Sequence, residues 1–126
     1  MNNKRRPEKI RVDYDDLEKG KEVNDYTGGV YRNYKGKPFT GFALDGYYEN
    51  GQVAGEREYV NGEDIGWIIN YYDNGNIEYE SLDYGATNVF FARYDREGNR
   101  ISSHFFAAEL LEEVCAITGE DPENVK

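Results

Sequence analysis

The chain has 126 residues, the length of one ordinary domain, and its 25 acidic and 15 basic residues give a net charge of -10. Because binding to nucleic acid by counterion release requires a basic surface, this charge excludes DNA or RNA as a ligand of the surface as a whole. Aromatic residues make up 15% of the chain, which is too many for a disordered protein, so we predict a folded domain.

Two features of the composition bear on the cellular compartment. The single cysteine, Cys115, cannot form an internal disulfide, and this suits a reducing compartment. No window approaches the roughly 20 apolar residues of a membrane-spanning helix, and the N-terminus has no apolar segment typical of a secretory signal. We therefore expect a cytoplasmic protein that has no membrane partner.

Basic residues are concentrated at the N-terminus, where five of the 15 lie within the first eleven positions. We predict that residues 1–8 form a mobile basic tail and that residues 9–126 form a single domain. Four acidic residues lie at the end of a short alternating segment, Lys9–Tyr14, and just after it, and they form an acidic run: Asp13, Asp15, Asp16 and Glu18. Such a run is either a solvated face or an electrostatic landing site for a basic partner. Residues 19–29 contain three glycines and are predicted to be a loop.

The middle of the chain contains a repeat. Tyr47–Val53 and Tyr71–Ile77 have similar sequences, and Tyr94–Ile101 is a weaker third copy. The dipeptides Asn50-Gly51 and Asn74-Gly75 tolerate the positive φ angles of tight hairpin turns, and strand-forming residues flank them. We therefore predict that residues 30–101 form repeated β-hairpins.

One helix is predicted near the C-terminus, over residues 105–118, with Gly119 at its end. Its apolar residues recur at helical spacing and form one stripe: Phe106, Leu110, Val114 and Ile117. The stripe indicates that the helix packs on the sheet and closes the core, although docking into a partner's groove is an alternative. The predicted fold is mainly β, an antiparallel meander of repeated hairpins with one C-terminal α-helix packed on the sheet.

Residues suited to catalysis or metal binding are few. The single histidine, His104, and Cys115 are too few for a zinc site. We interpret Cys115 as a buried packing residue and His104 as a residue at the start of the helix. The sequence has no glycine-rich phosphate loop and no twelve-residue calcium loop, so no metal and no cofactor is expected.

The hairpins resemble a known repeat. The Tyr-x-Asn-Gly turn, followed by Asn61-Gly62 and Gly66-Trp67, is similar to the variant MORN repeat, and Lys35–Phe42 is similar to the segment that opens the repeats in that family. The match covers about residues 30–101. Bacterial proteins of this kind are commonly described as antitoxins or immunity proteins. The resemblance therefore implies a cytosolic protein that neutralises a toxin by binding it and has no catalysis of its own.

The expected mechanism is occlusion of a basic protein toxin by an acidic, tyrosine-rich surface. A toxin that acts on nucleic acid needs a positive cleft, and clustered carboxylates would compete for that cleft. The predicted contact residues are Asp13, Asp15, Asp16, Glu56, Glu58, Tyr59, Glu78, Tyr79 and Glu80. The free protein is expected to be a monomer.

Two other classes of function remain open. A structural or scaffolding module would use an exposed sheet edge or face for protein–protein interaction, because unpaired edge strands invite pairing. A carboxylate-based hydrolase would need two acids at a defined separation. The candidate pairs are Glu56 with Glu58 and Glu78 with Glu80. In a chain with 25 acidic residues, however, pairs of this kind arise without selection for catalysis. The enzyme therefore ranks third.

Overall fold

The structure is a computed structural model that describes residues 5–23 and 30–126. The strands in this part of the chain are β1 (Arg11–Asp13), β2 (Glu18–Val23), β3 (Val30–Tyr34), β4 (Lys37–Pro38), β5 (Gly41–Leu44), β6 (Gly55–Tyr59), β7 (Ile65–Tyr71), β8 (Ile77–Tyr84), β9 (Thr87–Tyr94) and β10 (Arg100–Phe105). The α-helix, α1, is Leu111–Thr118, and short 3-10 helices lie at Tyr14–Asp16, Ala108–Leu110 and Pro122–Asn124.

Seven strands form the main sheet, in the order β1-β5-β6-β7-β8-β9-β10. From β5 to β10 each strand is antiparallel to the next, whereas β1 pairs with β5 in parallel. A smaller antiparallel sheet has the order β2-β3-β4. The predicted fold class, a mainly β meander with one C-terminal helix, is confirmed.

The repeated sequences form the same turn three times. In each copy, a backbone N–H of the first residue donates to the carbonyl of the fifth, in the pairs Tyr48–Gln52, Tyr72–Asn76 and Asp95–Asn99. The glycine before the fifth residue has a φ of 89°, 90° or 94°, at Gly51, Gly75 and Gly98 respectively. This is the three-residue hairpin loop in which a type I turn is followed by a left-handed glycine.

Each turn is fixed to the next by side chains that repeat with the sequence. The hydroxyl of Tyr48 donates to the Tyr71 carbonyl at 2.6 Å, and that of Tyr72 donates to the Tyr94 carbonyl at 2.8 Å. The amides of Asn50 and Asn74 donate to the carbonyls of Asp73 and Arg96, at 2.8 and 2.9 Å. The repeated Tyr-x-Asn-Gly turn therefore stabilises contacts between hairpins as well as the hairpin itself.

Helix α1 covers one face of the main sheet, which we call the covered face. Val114 and Cys115 of the helix are buried there in a cluster with Trp67, Ile69 and Phe90. The Trp67 and Phe90 rings meet edge to face, with centroids 6.4 Å apart. The predictions that the helix closes the core and that Cys115 is a buried packing residue are confirmed.

The opposite side of the main sheet, the open face, carries a second and smaller apolar cluster. Phe39, Ala43 and Tyr59 are buried there, and Tyr14 and Tyr34 pack against them. Tyr34 belongs to β3, so the small sheet contributes to this cluster. Elsewhere on the open face, Ile68 is partly buried and Arg57 is exposed.

The beginning of the predicted helix is wrong. Residues 105–118 were expected to be helical, but Phe105 is the last residue of β10, and α1 begins at Leu111. The Phe105 ring packs on Phe90 with centroids 4.8 Å apart, and β10 pairs with β9, so strand pairing overrides the helical spacing. Of the stripe, Val114 is buried, whereas Phe106 and Ile117 are exposed.

Two further expectations change. His104 lies in β10 and not at the start of a helix. Residues 19–23 of the predicted loop belong to β2, where Glu18 and Lys19 pair with Asn33 and Arg32. The remainder of that predicted loop, residues 24–29, lies outside the described residues, as do residues 1–4 of the predicted tail.

The turn glycines give a test of the repeat. Replacing Gly51 or Gly98 by alanine is expected to lower the free energy of unfolding by about 1–2 kcal/mol, because a left-handed backbone costs L-residues about this much. A Cβ at either position has no neighbour within 4 Å, so the loss would come from the backbone alone. Urea denaturation measures it. Asparagine at the same positions is the control, since it tolerates this conformation and should lose less; equal losses for both residues would contradict the assignment.

Candidate functional site

Three glutamates point into the covered face. Glu56 and Glu58 lie two residues apart on β6, so their side chains share one face of the sheet, and Glu80 lies on β8. All three are buried, with 2%, 1% and 1% of their surfaces exposed. A carboxylate in such a place is costly unless a cation and hydrogen bonds accompany it.

The N-terminal residues supply those cations. Arg5 binds Glu80 with two hydrogen bonds, from Nε to Oε2 at 3.0 Å and from Nη2 to Oε1 at 2.8 Å. Lys9 pairs with Glu58, and Arg11 Nη2 lies 3.2 Å from Glu56 Oε1. We call residues 5–11 the N-terminal strap, because they cross the covered face and neutralise its three carboxylates.

The strap also packs on aromatic rings. The guanidinium of Arg5 lies 4.2 Å from the centre of the Trp67 ring, and that of Arg11 lies 4.1 Å from the centre of the Phe42 ring. Arg6 donates to the carbonyl of Thr118, at the end of α1. Residues 5–8, which were expected to belong to a mobile tail, are thus placed against the folded chain.

Uncharged groups donate further hydrogen bonds to the three buried glutamates. The hydroxyls of Tyr71 and Tyr94 donate to Glu56 and Glu80, at 2.9 and 2.7 Å. The backbone N–H of Trp67 donates to Glu58 at 3.1 Å. Burial raises the pKa of Glu58, although Lys9 acts in the opposite direction.

Four of the nine predicted contact residues are therefore not available on the surface. Glu56, Glu58 and Glu80 lie beneath the strap, and Tyr59 is 3% exposed because it belongs to the smaller apolar cluster. The prediction of these four as direct contacts is wrong for this structure. The proposed carboxylate pair of Glu56 with Glu58 is likewise enclosed.

The other five predicted residues fall in two places. Glu78 and Tyr79 lie on β8 and are partly buried; the Tyr79 ring stacks on Phe91 of the open face, with centroids 5.6 Å apart. The three aspartates lie in and after β1, at an edge of the main sheet, and all three are exposed: Asp13, Asp15 and Asp16. The structure does not join these two groups into one surface.

The exposed aspartates are accompanied by a tyrosine that the sequence analysis did not assign to the site. Tyr47 is 54% exposed, and its hydroxyl donates a hydrogen bond to Asp13 Oδ1. This bond raises the pKa of the Tyr47 hydroxyl, with smaller contributions from burial and the neighbouring charges. The position of Tyr47 at the foot of a hairpin turn was the available signal. We call Asp13, Asp15, Asp16 and Tyr47 the acidic patch.

The open face has a groove of its own. Its volume is about 260 Å3, and its lining includes Asp45, Arg57, Asn70 and Tyr79. Arg57 also pairs with Asp64 at 3.3 Å. Burial raises the pKa of Asp64 and of Asp83, which lie near each other beside the groove-lining Arg57. The groove therefore combines both charges and has no single electrostatic character.

The described residues contain neither a cluster of metal-ligating side chains nor a helix that could cross a membrane. Within residues 5–23 and 30–126, no three His, Cys, Asp or Glu side chains are grouped to hold a metal ion. Burial raises the pKa of the Cys115 thiol, which keeps it protonated. No helix in the same ranges has the length and apolar character needed to cross a membrane.

The strap makes a sharp prediction about stability. Replacing Arg5 by methionine would leave Glu80 buried without its cation, and the free energy of unfolding is expected to fall by about 3 kcal/mol. The matched control is Arg96→Met, because Arg96 forms an exposed pair with Asp73 that should contribute less than about 1 kcal/mol. Urea denaturation of both variants measures the difference. Similar small losses for the two would show that the strap does not stabilise the covered face.

The raised pKa values predict a pH dependence. A carboxyl group whose pKa is higher in the folded state binds more protons when folded, so its contribution to stability falls as the pH rises above its unfolded pKa of about 4. Glu58, Asp64 and Asp83 are such groups. The unfolding midpoint in urea is therefore expected to rise when the pH is lowered from 7.5 towards 5.

Two exposed carboxyl groups have lowered pKa values, so their contribution to stability changes with pH in the opposite direction. Hydrogen bonds lower the pKa of Glu8 and Asp95, so their contribution is lost only as the pH falls below about 4. The double variant Asp64→Asn/Asp83→Asn should flatten the rise between pH 7.5 and 5. A midpoint that falls steadily over that range in the unmodified protein would contradict the assignment.

No protein-family model, no curated protein and no solved structure matches this chain.

Proposed function

We propose that this protein is a non-catalytic immunity or antitoxin protein that binds a basic protein toxin and occludes its functional surface. The observation that carries the proposal is the acidic patch: three exposed aspartates within four residues, beside an exposed tyrosine. None of the three aspartates forms an ion pair with another described residue. Their charge is therefore free to attract a cationic partner.

The distribution of charge supports the same proposal. The three ion pairs between the strap and the covered face contain three acidic and three basic side chains. Their charges cancel, so the net charge of -10 is carried by the other residues. An uncompensated negative surface accelerates encounter with a basic partner and disfavours acidic ones. A toxin that acts on nucleic acid has a positive cleft and is the partner that this surface suits best.

The composition of the patch suits a binding role. Tyrosine is enriched at the energetic centres of protein interfaces, because its ring buries a large area and its hydroxyl remains hydrogen bonded. Asp13 already holds the Tyr47 hydroxyl in place, so little side-chain freedom is lost when a partner covers the ring. The resemblance to MORN-variant proteins described as antitoxins, and the cytoplasmic location expected from the single cysteine, are consistent with this role.

A comparison of three baits tests the proposal. Purified protein, the variant D13K/D15K/D16K and the control E97K/E112K/E123K are each used to capture partners from a lysate of the source organism. The control changes the net charge equally at exposed residues outside the patch. We expect one basic protein to be retained by the unmodified protein and by the control, and to be lost from the patch variant. Equal retention by both variants would place the contact elsewhere.

The captured partner also permits a kinetic test within the same experiment. If charge guides the encounter, the association rate should fall about tenfold or more between low and high salt. The patch variant should associate more slowly at low salt and show a weaker salt dependence. A rate that is independent of salt would contradict electrostatic guidance.

A further inference from the structure

The last strand of the main sheet has an unusual exposed surface. All six residues of β10 are exposed, and no other strand within residues 5–23 and 30–126 pairs with its outer side. Large apolar side chains are concentrated there: Ile101 is 57% exposed, Phe105 is 37% exposed and the next residue, Phe106, is 61% exposed. Proteins usually protect a free edge with charge, and an apolar edge invites another strand.

The backbone of β10 is directed to receive such a strand. The N–H of Phe106 donates to the Val89 carbonyl of β9. Because alternate residues of an antiparallel strand direct their N–H and C=O groups to opposite sides, Ser103 and Phe105 present theirs away from β9. These groups form the outer edge of the sheet.

Charge identifies the kind of strand that fits. Residues 98–108 contain no acidic residue, and Arg100 and His104 are their ionisable side chains. In a chain with a net charge of -10, this is a segment where a second copy can approach with little repulsion. A basic protein gains no attraction from this edge, in contrast to the edge formed by β1, which ends at Asp13.

We propose that two copies of this chain associate through β10. The strands pair antiparallel about a twofold axis, with Ser103 of one copy opposite Ser103 of the other. This register places Ile101 beside Phe105 of the second copy, and the twofold symmetry repeats the contact. The free protein is then a dimer at sufficient concentration and not the monomer that the sequence analysis expected.

The pairing of β10 with β9 is irregular between Arg100 and Ser102, and this irregularity limits how strongly two copies can associate. Ile101 is the extra residue there, so the regular ladder available to a second copy is short. A short ladder predicts a weak and concentration-dependent dimer. Since β1 and β10 are opposite edges of the sheet, the dimer leaves both acidic patches free. Each dimer would then carry two sites for the proposed basic protein toxin. The association of the two copies does not depend on that proposed function.

The test uses the full chain and two variants that place a positive or a negative charge at position 103. Light scattering and sedimentation velocity from about 5 μM to about 1 mM are expected to show the mass rising from 14.6 kDa towards twice that value. Ser103→Lys and Ser103→Glu place like charges opposite each other, so each variant alone should associate at least tenfold more weakly. An equimolar mixture of the two should recover the dimer. Thr87→Lys, at an exposed residue in the β8–β9 hairpin, is the control and should associate normally.

Several outcomes would overturn the proposal. A mass of one chain over the whole concentration range would exclude the dimer. Association of Ser103→Lys equal to that of the unmodified protein would place the contact elsewhere, and failure of the mixture to recover association would exclude the proposed register. Because Ser103 is exposed, both variants should retain the unfolding midpoint of the unmodified protein, which separates loss of pairing from loss of folding.

Discussion

The burial of three carboxylates is the constraint on which the covered face depends. Glu56, Glu58 and Glu80 lie among aromatic and aliphatic side chains, where an unpaired charge would cost several kcal/mol. The strap supplies one cation for each, and its arginines also cover the rings of Trp67 and Phe42. The cations of residues 5–11 are therefore required by the core, although the composition of this segment is that of a solvated tail. Replacing the pairs by apolar residues could preserve stability, but the pairs fix where the strap lies.

The meander could be predicted from the sequence because turn chemistry is local. The Asn-Gly dipeptides and their spacing identify the hairpins, and the third copy forms the same turn even though Asp95 replaces the tyrosine. The beginning of the helix could not be predicted in the same way. Phe105 and Phe106 fit helical spacing, yet the pairing of β10 with β9 is a contact between strands that a local pattern does not contain.

The candidate site was harder to predict than the fold, because burial of the acidic residues depends on distant partners. Arg11 and Glu56 are 45 residues apart, and Arg5 and Glu80 are 75 apart. A glutamate on an alternating strand normally faces solvent, so the sequence analysis placed all three on the surface. The concentration of cations at the N-terminus was visible, but nothing in the sequence assigns them to these glutamates. The aspartates of the acidic patch were predicted correctly as exposed, because they lie beside a turn at a sheet edge.

The long separation between Arg5 and Glu80 also has a consequence for synthesis on the ribosome. Arg5 leaves the exit tunnel well before β8 has been translated, so its guanidinium has no Glu80 to pair with until that strand emerges. The strap can close over Glu80 only when β8 emerges, and the hydrogen bond from Arg5 to the Asn124 carbonyl forms later still, after α1 has been made. Closure of the strap over the covered face is thus a late step of synthesis, and a chain interrupted before β8 would leave Arg5 without the carboxylate that it binds.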